Sequence, residues 1–378
     1  MSEPRRATQP TPSKQGLRVA LDVSAIPAQP MGAGVYVLRL VGALAERGDV
    51  DLHLLSGSRD AARWQEAAPA AVVHPEAPAS RTSRLAWEQV GASRAARHID
   101  ADVWHGPHYT MPLRRPRPTV VTVHDMTLIE HPEWHERSKV LFFGVMIRAA
   151  ARRADVLVCV SDHTARRLRA RLRPRAPVVV VPHGVDHRRF RPDATGDVER
   201  LEAVGVRPPF VAFVGTIEPR KGVPSLVSAF RRLGRPDLQL VLAGRHGWGP
   251  EPASGDGILR LDYVADDLVP ALLRQAVAVA YPSLEEGFGL PALEALACGA
   301  ALVTTTGSAM QDVVDDAALL VAPGDDAALA AALEALVAGG TEAARLRRRG
   351  PQVAAPFTWA ASAEGHVAAY RLAMAARS

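Results

Sequence analysis

Twelve short apolar runs, each bounded by turn residues, limit what this chain can fold into. Six come early: LRVALD (17–22), LHLL (52–55), DVWH (102–105), TVVTVHD (119–125), VLVCVS (156–161) and VVVVPHG (178–184). They are nearly continuous in apolar character, which is how strands buried on both faces read. Between them, Val35 to Arg47, Ser138 to Arg153 and Asp162 to Arg173 are helix-like, with Ser161 placed as an N-cap. Strand, helix and strand in alternation imply a parallel sheet covered by helices on both faces. The polar, Pro-bearing stretch 187–209 lacks sustained apolar periodicity and marks a linker. A second series then follows: FVAFVG (210–215), LQLVLAG (238–244), ILRLDYV (258–264), VAVAYPS (277–283), ALVTTT (301–306) and ALLVAP (318–323), with helices such as Pro224 to Leu233. The expectation is an α/β protein of two doubly wound, Rossmann-like lobes facing across a cleft. The boundaries read as a disordered leader at 1–16, a first lobe at 17–189, a linker at 190–208, a second lobe at 209–356 and a final helix at 357–376. In that helix Trp359, Val367, Tyr370 and Leu372 are placed to cover the seam between lobes.

A length of 378 residues, 48% of them hydrophobic, is enough for two cores without disulfides or metals. No apolar run reaches the ~20 residues of a membrane span. The start, MSEPRRATQPTPSKQG, lacks the apolar stretch of a signal peptide, so the expected location is the cytoplasm. The two cysteines, Cys159 and Cys298, have neither metal-site nor disulfide spacing. Net charge is uneven. Residues 1–190 carry 28 Lys+Arg against 18 Asp+Glu, and residues 191–378 carry 17 against 22. Either the first lobe meets an anionic partner, or a codon bias that leaves three lysines beside 42 arginines has loaded a solvated surface.

Open parallel sheets bind ligands outside the carboxyl ends of their strands, so the informative residues should follow strands. In PSLEEGFGLPALEALACG (282–299), Glu286, Gly287, Phe288, Gly289 and Leu290 form a turn into a helix with Pro291 at its first position and Gly299 at its stop. Free amides there, at the positive end of the helix dipole, seat a phosphate or diphosphate. Glu286 and Glu294 would repel that anion, so they are read as acceptors for ribose or sugar hydroxyls; Glu294 reads equally well as a surface helix residue. In FVGTIEPRKGVPSLVSAF (213–230), a strand ends at Gly215, and Arg220 and Lys221 suit a diphosphate. Gly32 and Gly34 follow the first strand, in a loop too short of glycines for a nicotinamide cofactor. His124 and Asp125 end one strand, and His105, His108 and Tyr109 follow another and line an acceptor pocket. The D-x-D pairs Asp49/Asp51 and Asp100/Asp102 precede strands, so no metal site is expected. No G-x-S-x-G elbow, Walker loop or H-E-x-x-H occurs.

These residues resemble a known family. EEGFGLPALEALACG, followed by ALVTTTGSA and AALLVAPGD, is similar to the donor-binding lobe of retaining GT-B glycosyltransferases of family 4, mannosyltransferase-like members included. GTIEPRKG, VPHGVDHRRF, VHD and GAGVY fall in that family's order, from about Leu17 to Leu372. The resemblance implies a final helix crossing back to the first lobe. It also implies Arg220 and Lys221 on the donor diphosphate, backbone at Phe288 to Leu290 on the distal phosphate and sugar, and Glu294 on ribose. Glu286 would contact the donor sugar, His124 the reacting sugar, and Gly34 would let its loop close over phosphate. Gly215, Gly287, Tyr263 and Val264 complete the expected donor contacts, with His108, Tyr109 and Asp125 on the acceptor side. Two departures stand out. Val35 occupies a position that is often basic between the Gly and the Tyr, and Met310-Gln311-Asp312 replaces a frequent Leu-Pro-Glu.

The expected reaction is hexosyl transfer from a nucleoside-diphosphate sugar, GDP-mannose first, to a hydroxyl on a glycan or lipid-linked sugar, with retention. No cofactor, metal or nucleic acid is expected. Arg148 to Arg175, with nine Arg against two Asp, is read as a basic face resting on the inner surface of an anionic membrane. A non-catalytic sugar-nucleotide-binding protein, motivated by Val35, and an epimerase or phosphorolytic enzyme on the same fold stay open.

Overall fold

The computed structural model describes residues 16–115, 117–251 and 254–377. The expected leader falls almost wholly on residues 1–15, outside this range. Lobe 1 runs β1 (Leu17–Asp22), α1 (Ala33–Ala45), β2 (Val50–Gly57), α2 (Ala61–Ala67), β3 (Val72–Ala77), α3 (Arg81–His98), β4 (Val103–Gly106) and β5 (Thr119–Val123). It continues through α4 (Thr127–Glu130), α5 (Arg137–Arg153), β6 (Val156–Cys159), α6 (Asp162–Leu172) and β7 (Val178–Val180). Lobe 2 runs α7 (Asp197–Glu202), β8 (Phe210–Val214), α8 (Val223–Arg232), β9 (Gln239–Ala243), β10 (Ile258–Leu261), α9 (Val269–Gln275) and β11 (Ala278–Tyr281). After it come α10 (Leu290–Ala297), β12 (Leu302–Thr305), α11 (Ala309–Val314), β13 (Ala318–Val321), α12 (Asp326–Val337), α13 (Thr341–Ala354) and α14 (Trp359–Ala375).

Both sheets are parallel, ordered β3-β2-β1-β4-β5-β6-β7 and β10-β9-β8-β11-β12-β13. The strand order therefore reverses between β1 and β4 in lobe 1 and between β8 and β11 in lobe 2. A doubly wound sheet opens its ligand crevice at such points. Each of the twelve apolar runs overlaps a strand. β3 was not among them: VVHPEA carries Pro75 and has little buried face, as a sheet edge tolerates.

Ser161 caps α6 by accepting the Thr164 amide at 3.0 Å, as its spacing predicts. The segment read as a bare linker contains α7, docked on lobe 2 by a two-pronged pair in which Arg274 donates to Asp197 at 2.6 and 2.9 Å. The D-x-D aspartates serve the amino end of the first sheet: Asp51 takes Arg18 Nε at 3.1 Å and Asp102 takes the Arg18 amide at 2.8 Å.

Helix α14 crosses back to lobe 1, burying Val367 and Tyr370 against the core that holds Tyr36 and Val158. Leu372, expected at the seam, is 40% exposed, because it falls on the outer side of the helix. Phe357, just before α14, does reach the seam and packs on Phe288 of lobe 2, with ring centroids 6.1 Å apart.

Candidate active site

In lobe 2 the two loops at the reversal of strand order meet. After β8, Arg220 and Lys221 lie in a single 3-10 turn closed by Gly222 at φ +68°. A Cβ on Gly222 would sit 2.0 Å from the Pro282 carbonyl, so only glycine lets this loop touch the one that follows β11. The Leu284 amide donates to the Arg220 carbonyl at 2.7 Å and fastens the two together.

This pinning brings Glu286 between the cations. Lys221 Nζ donates to Glu286 Oε1, Ser283 Oγ donates to the same oxygen at 3.0 Å, and Arg220 reaches Oε2 at 3.5 Å. Arg220 Nε also donates to Glu218 at 3.0 Å. Burial alone would push the Glu286 carboxyl up, but Lys221 and Arg220 outweigh it and hold the group below its usual range. Burial works against the Arg220 guanidinium, which Glu286, Glu218 and Asp125 hold charged. Two cations and two carboxylates thus stand neutral overall at the mouth of the crevice.

Beside them α10 begins at Leu290, one residue earlier than expected, with Gly289 in left-handed backbone at φ +98° as its N-cap. Among the described residues the amides of Phe288, Gly289 and Leu290 donate to no other group. Glu294, one turn into α10, is partly buried, and its carboxyl makes no hydrogen bond or ion pair among the described residues. Burial raises its carboxyl to about 7, with Arg189 and Arg39 opposing the shift.

Lobe 1 faces this seat across a close contact. The His124 carbonyl would lie 1.8 Å from a Cβ on Gly287, so glycine at 287 sets how near the lobes come. The start of α6 grips the same loop: Ser161 Oγ and Thr164 Oγ1 donate to the Gly287 carbonyl at 2.6 and 3.1 Å, and His163 Nε2 meets Glu285 at 2.6 Å. None of these three grips stood out in the sequence, because each is half of a pair more than 120 residues apart.

Not every expected contact falls in the cleft. Gly34 lies in the first turn of α1, where its Cβ would meet Pro30 at 2.8 Å; the left-handed loop glycine is Gly32. Tyr109 is 4% exposed and receives the Asp125 amide at 3.1 Å, so it supports the pocket from behind. Asp125 spends one oxygen on the Thr127 amide and hydroxyl at 3.0 and 2.7 Å. His108 stays partly accessible beside His124, with ring centroids 5.6 Å apart. Gly215 follows β8, while Tyr263 and Val264 follow β10 on the rim, where Arg245 lies over the Tyr263 ring at 5.5 Å.

His105 is a correction: it is fully buried and lines no acceptor pocket. Instead it joins a hydrogen-bonded chain from α14 into lobe 1. Tyr370 Oη meets His105 Nδ1 at 2.9 Å, His105 Nε2 meets Thr122 at 2.8 Å, and Thr122 meets Tyr36 Oη at 3.1 Å. Tyr36 Oη meets His366 Nε2 at 2.8 Å, and His366 Nδ1 ends on the Ser362 carbonyl at 2.7 Å. That carbonyl only accepts, so with neutral histidines every proton in the chain points from Tyr370 toward Ser362. Burial lowers both histidines, His366 to about 4. The Tyr36 ring then packs edge-on against His124 and at a 40° tilt against His183, which the sequence left unassigned although it follows β7 as His124 follows β5. His183 also touches Phe288 of lobe 2, and its Nδ1 is buried without a hydrogen-bond partner among the described residues.

Comparison with known proteins agrees with this architecture. Residues 30–189 match the Glycosyltransferase Family 4 domain and residues 208–339 match the family described as Glycosyl transferases group 1. The O-antigen chain mannosyltransferase B of Escherichia coli is 27% identical over 285 residues, covering 71% of this chain and 74% of its own. The alpha-maltose-1-phosphate synthase of Mycolicibacterium smegmatis is 29% identical over 94% of this chain and 99% of its own. Among solved structures, the sucrose-phosphate synthase of Thermosynechococcus elongatus superposes with a TM-score of 0.75 at 22% identity, over 94% of this chain and 98% of its own. With a family 4 half, a group 1 half and two Rossmann-like lobes closed on one crevice, the chain belongs to the GT-B glycosyltransferases.

Proposed function

We propose that the protein moves a hexosyl group from a nucleoside-diphosphate sugar to a hydroxyl, with retention at the anomeric carbon. The observation that carries this reading is the neutral Arg220–Lys221–Glu286–Glu218 cluster beside the free amides of 288–290. Arriving diphosphate offers the two cations a stronger partner than either carboxylate. Arg220 and Lys221 exchange onto it, and Glu286 is released to accept sugar hydroxyls. The distal phosphate sits at the start of α10, and Glu294 takes the ribose hydroxyls.

The acceptor hydroxyl attacks on the face the diphosphate leaves, and the leaving phosphate oxygen takes its proton. As charge builds on that oxygen, Arg220, Lys221 and the amides stabilise it; one such donor is worth about 3–4 kcal/mol. His124 donates through Nε2 to the Pro107 carbonyl at 2.8 Å, which leaves Nδ1 as an acceptor for a hydroxyl in the cleft. His108 and Asp125 border the acceptor. Mannose is the first hexose to test, because the matched Escherichia coli protein is a mannosyltransferase, and glucosyl donors come next.

The test is nucleoside-diphosphate release from GDP-mannose, UDP-glucose and ADP-glucose, with and without mono- and disaccharide acceptors, followed by proton NMR of the product. Acceptor-dependent release with an α-anomeric product from an α-donor supports the reading. Release that ignores every acceptor, or an inverted product, overturns it.

A further inference from the structure

The arginine-rich stretch 148–175 does not form the single basic face that its composition implies. Arg167 and Arg171 both close on Glu130 at 2.6 Å, Arg166 pairs with Asp312 of lobe 2 at 3.0 Å, and Arg169 donates to the Val178 carbonyl at 2.9 Å. Those charges are spent inside the molecule. Others are free, and those on α3, α5 and the connection between them keep company with exposed apolar side chains.

Helices α3 and α5 pack on the same face of the first sheet, since Ala92 and Ala96 of one and Ile147 and Ala150 of the other share one core. The strand connection, residues 107–115, runs down the groove between them. Ser93 of α3 donates to the Arg114 carbonyl at 3.1 Å, and Arg153 of α5 donates to the Leu113 carbonyl at 3.2 Å. Outward from this layer point Val90 at 73% exposure, Leu113 at 42%, Leu141 at 73% and Val145 at 56%. On α5, Leu141, Val145, Arg148 and Arg152 recur at intervals of four, three and four, which is one helical stripe. On α3, Val90, Arg94 and Arg97 repeat the same order. Both helices start at the cleft side of a parallel sheet, so the apolar residues lie nearer the cleft and the arginines farther from it. Arg94, Arg97, Arg114, Arg148 and Arg152 have no ion-pair partner among the described residues. The nearby acids are already taken: Asp155 by Arg115 at 2.6 Å, Asp100 by Arg117 and Glu136 by Lys139 at 2.8 Å.

We infer that this α3–α5 face is an interfacial docking surface for an anionic lipid bilayer. Four aliphatic side chains enter the headgroup boundary, and five unpaired guanidiniums lie against lipid phosphates. The combination selects this partner over others. Nucleic acid would use the arginines but gives the exposed Leu and Val side chains nothing to bind. A second copy of the chain would set five arginines against five. The face belongs to lobe 1, whose cleft carries the expected acceptor side, so docking would present the active site to a lipid-linked acceptor. That last consequence rests on the proposed transfer reaction; the docking itself does not.

The test is flotation of the full-length protein with vesicles of phosphatidylcholine alone and of phosphatidylcholine with an equal share of phosphatidylglycerol. The protein should float with the mixed vesicles only, and about 0.5 M salt should release most of it, since exposed charges are screened within a few ångströms there. Leu141→Asp/Val145→Asp and Arg148→Glu/Arg152→Glu should each cut the partition coefficient at least tenfold, as each basic side chain at such a surface contributes about 1 kcal/mol. Arg231→Glu/Arg232→Glu on lobe 2 should leave it unchanged. All three variants alter exposed positions that make no part of the donor or acceptor site, and nucleotide-sugar turnover in solution should persist. Wild-type protein that stays with buffer, variants that float as well as wild type, or a wild-type dimer that Leu141→Asp/Val145→Asp dissociates would overturn the inference. So would tight duplex-DNA binding lost in the arginine variant with no vesicle binding.

Discussion

The two lobes share a topology and solve the problem of polar groups in opposite ways. Lobe 2 has an apolar core and gathers most of the charge of its crevice in two loops between Gly215 and Leu290. Lobe 1 carries polar side chains through its centre, where Tyr36, His105, Thr122, His366 and Tyr370 form one hydrogen-bonded chain behind His124. The first arrangement places chemistry on a rigid frame. The second makes the frame depend on protonation and on a helix from the far end of the chain.

Lys221→Ala tests the lobe 2 side with the largest expected effect. Turnover of the nucleotide sugar should fall about 10²–10³-fold, with a far smaller change in melting temperature, because the cation is needed most as the diphosphate departs. Equal activity would remove the cation exchange from the account. Gly287→Ala tests the contact between lobes. A methyl there meets the His124 carbonyl, so the lobes should rest further apart and turnover drop about 10²-fold for a displacement near 1 Å. Small-angle scattering should show a more open molecule whose thermal stability is little changed.

Acid should separate the lobes next. A buried histidine whose folded pKa lies below its free value of 6.5 leaves stability intact above that pH and withdraws it as pH falls, because the unfolded chain takes the proton first. For His366, lowered to about 4, the full loss approaches 3 kcal/mol. Hydrogen exchange between pH 6.5 and about 4 should open β4, β5 and α14 while lobe 2 strands stay protected. Uniform opening of both lobes would contradict the contrast drawn here. The smallest effect concerns Glu294. Its carboxyl is raised to about 7, so folding favours its neutral form and stability is lost as pH rises from the free value of 4.5 through 7. Glu294→Gln should therefore stabilise the ligand-free protein by about 1–2 kcal/mol near pH 8 and by almost nothing near pH 4. The same change should weaken nucleotide-sugar binding, because a carboxylate that accepts ribose hydroxyls becomes an amide.

The same contrast explains how much could be read from sequence. All strands but β3 follow from apolar runs, and Arg220, Lys221, Glu286 and the 287–290 turn follow from the rule that ligands lie beyond strand ends. Those residues sit in two local segments, so spacing exposes them. The partner of Lys221 was not legible, since the Glu286 carboxylate reaches it only because Gly222 lets two loops touch. Lobe 1 was harder for a physical reason. Tyr36 and His366 are 330 positions apart, and nothing local distinguishes His105, which joins a buried chain, from His108, which borders the cleft. His183 could have been found by the strand-end rule that selected His124. The arginines misled, because composition counts charges without showing which are already paired.

The most direct test of the central claim is a thermal-shift panel of GDP, UDP, ADP and dTDP on wild type and on Lys221→Ala. A nucleotide at ~100 times its Kd stabilises by about 2.7 kcal/mol. The account predicts that one nucleotide raises the wild-type melting temperature clearly above the rest and that the variant loses most of that shift. No shift with any nucleotide, or the same shift in wild type and variant, would contradict a diphosphate seat at Arg220 and Lys221.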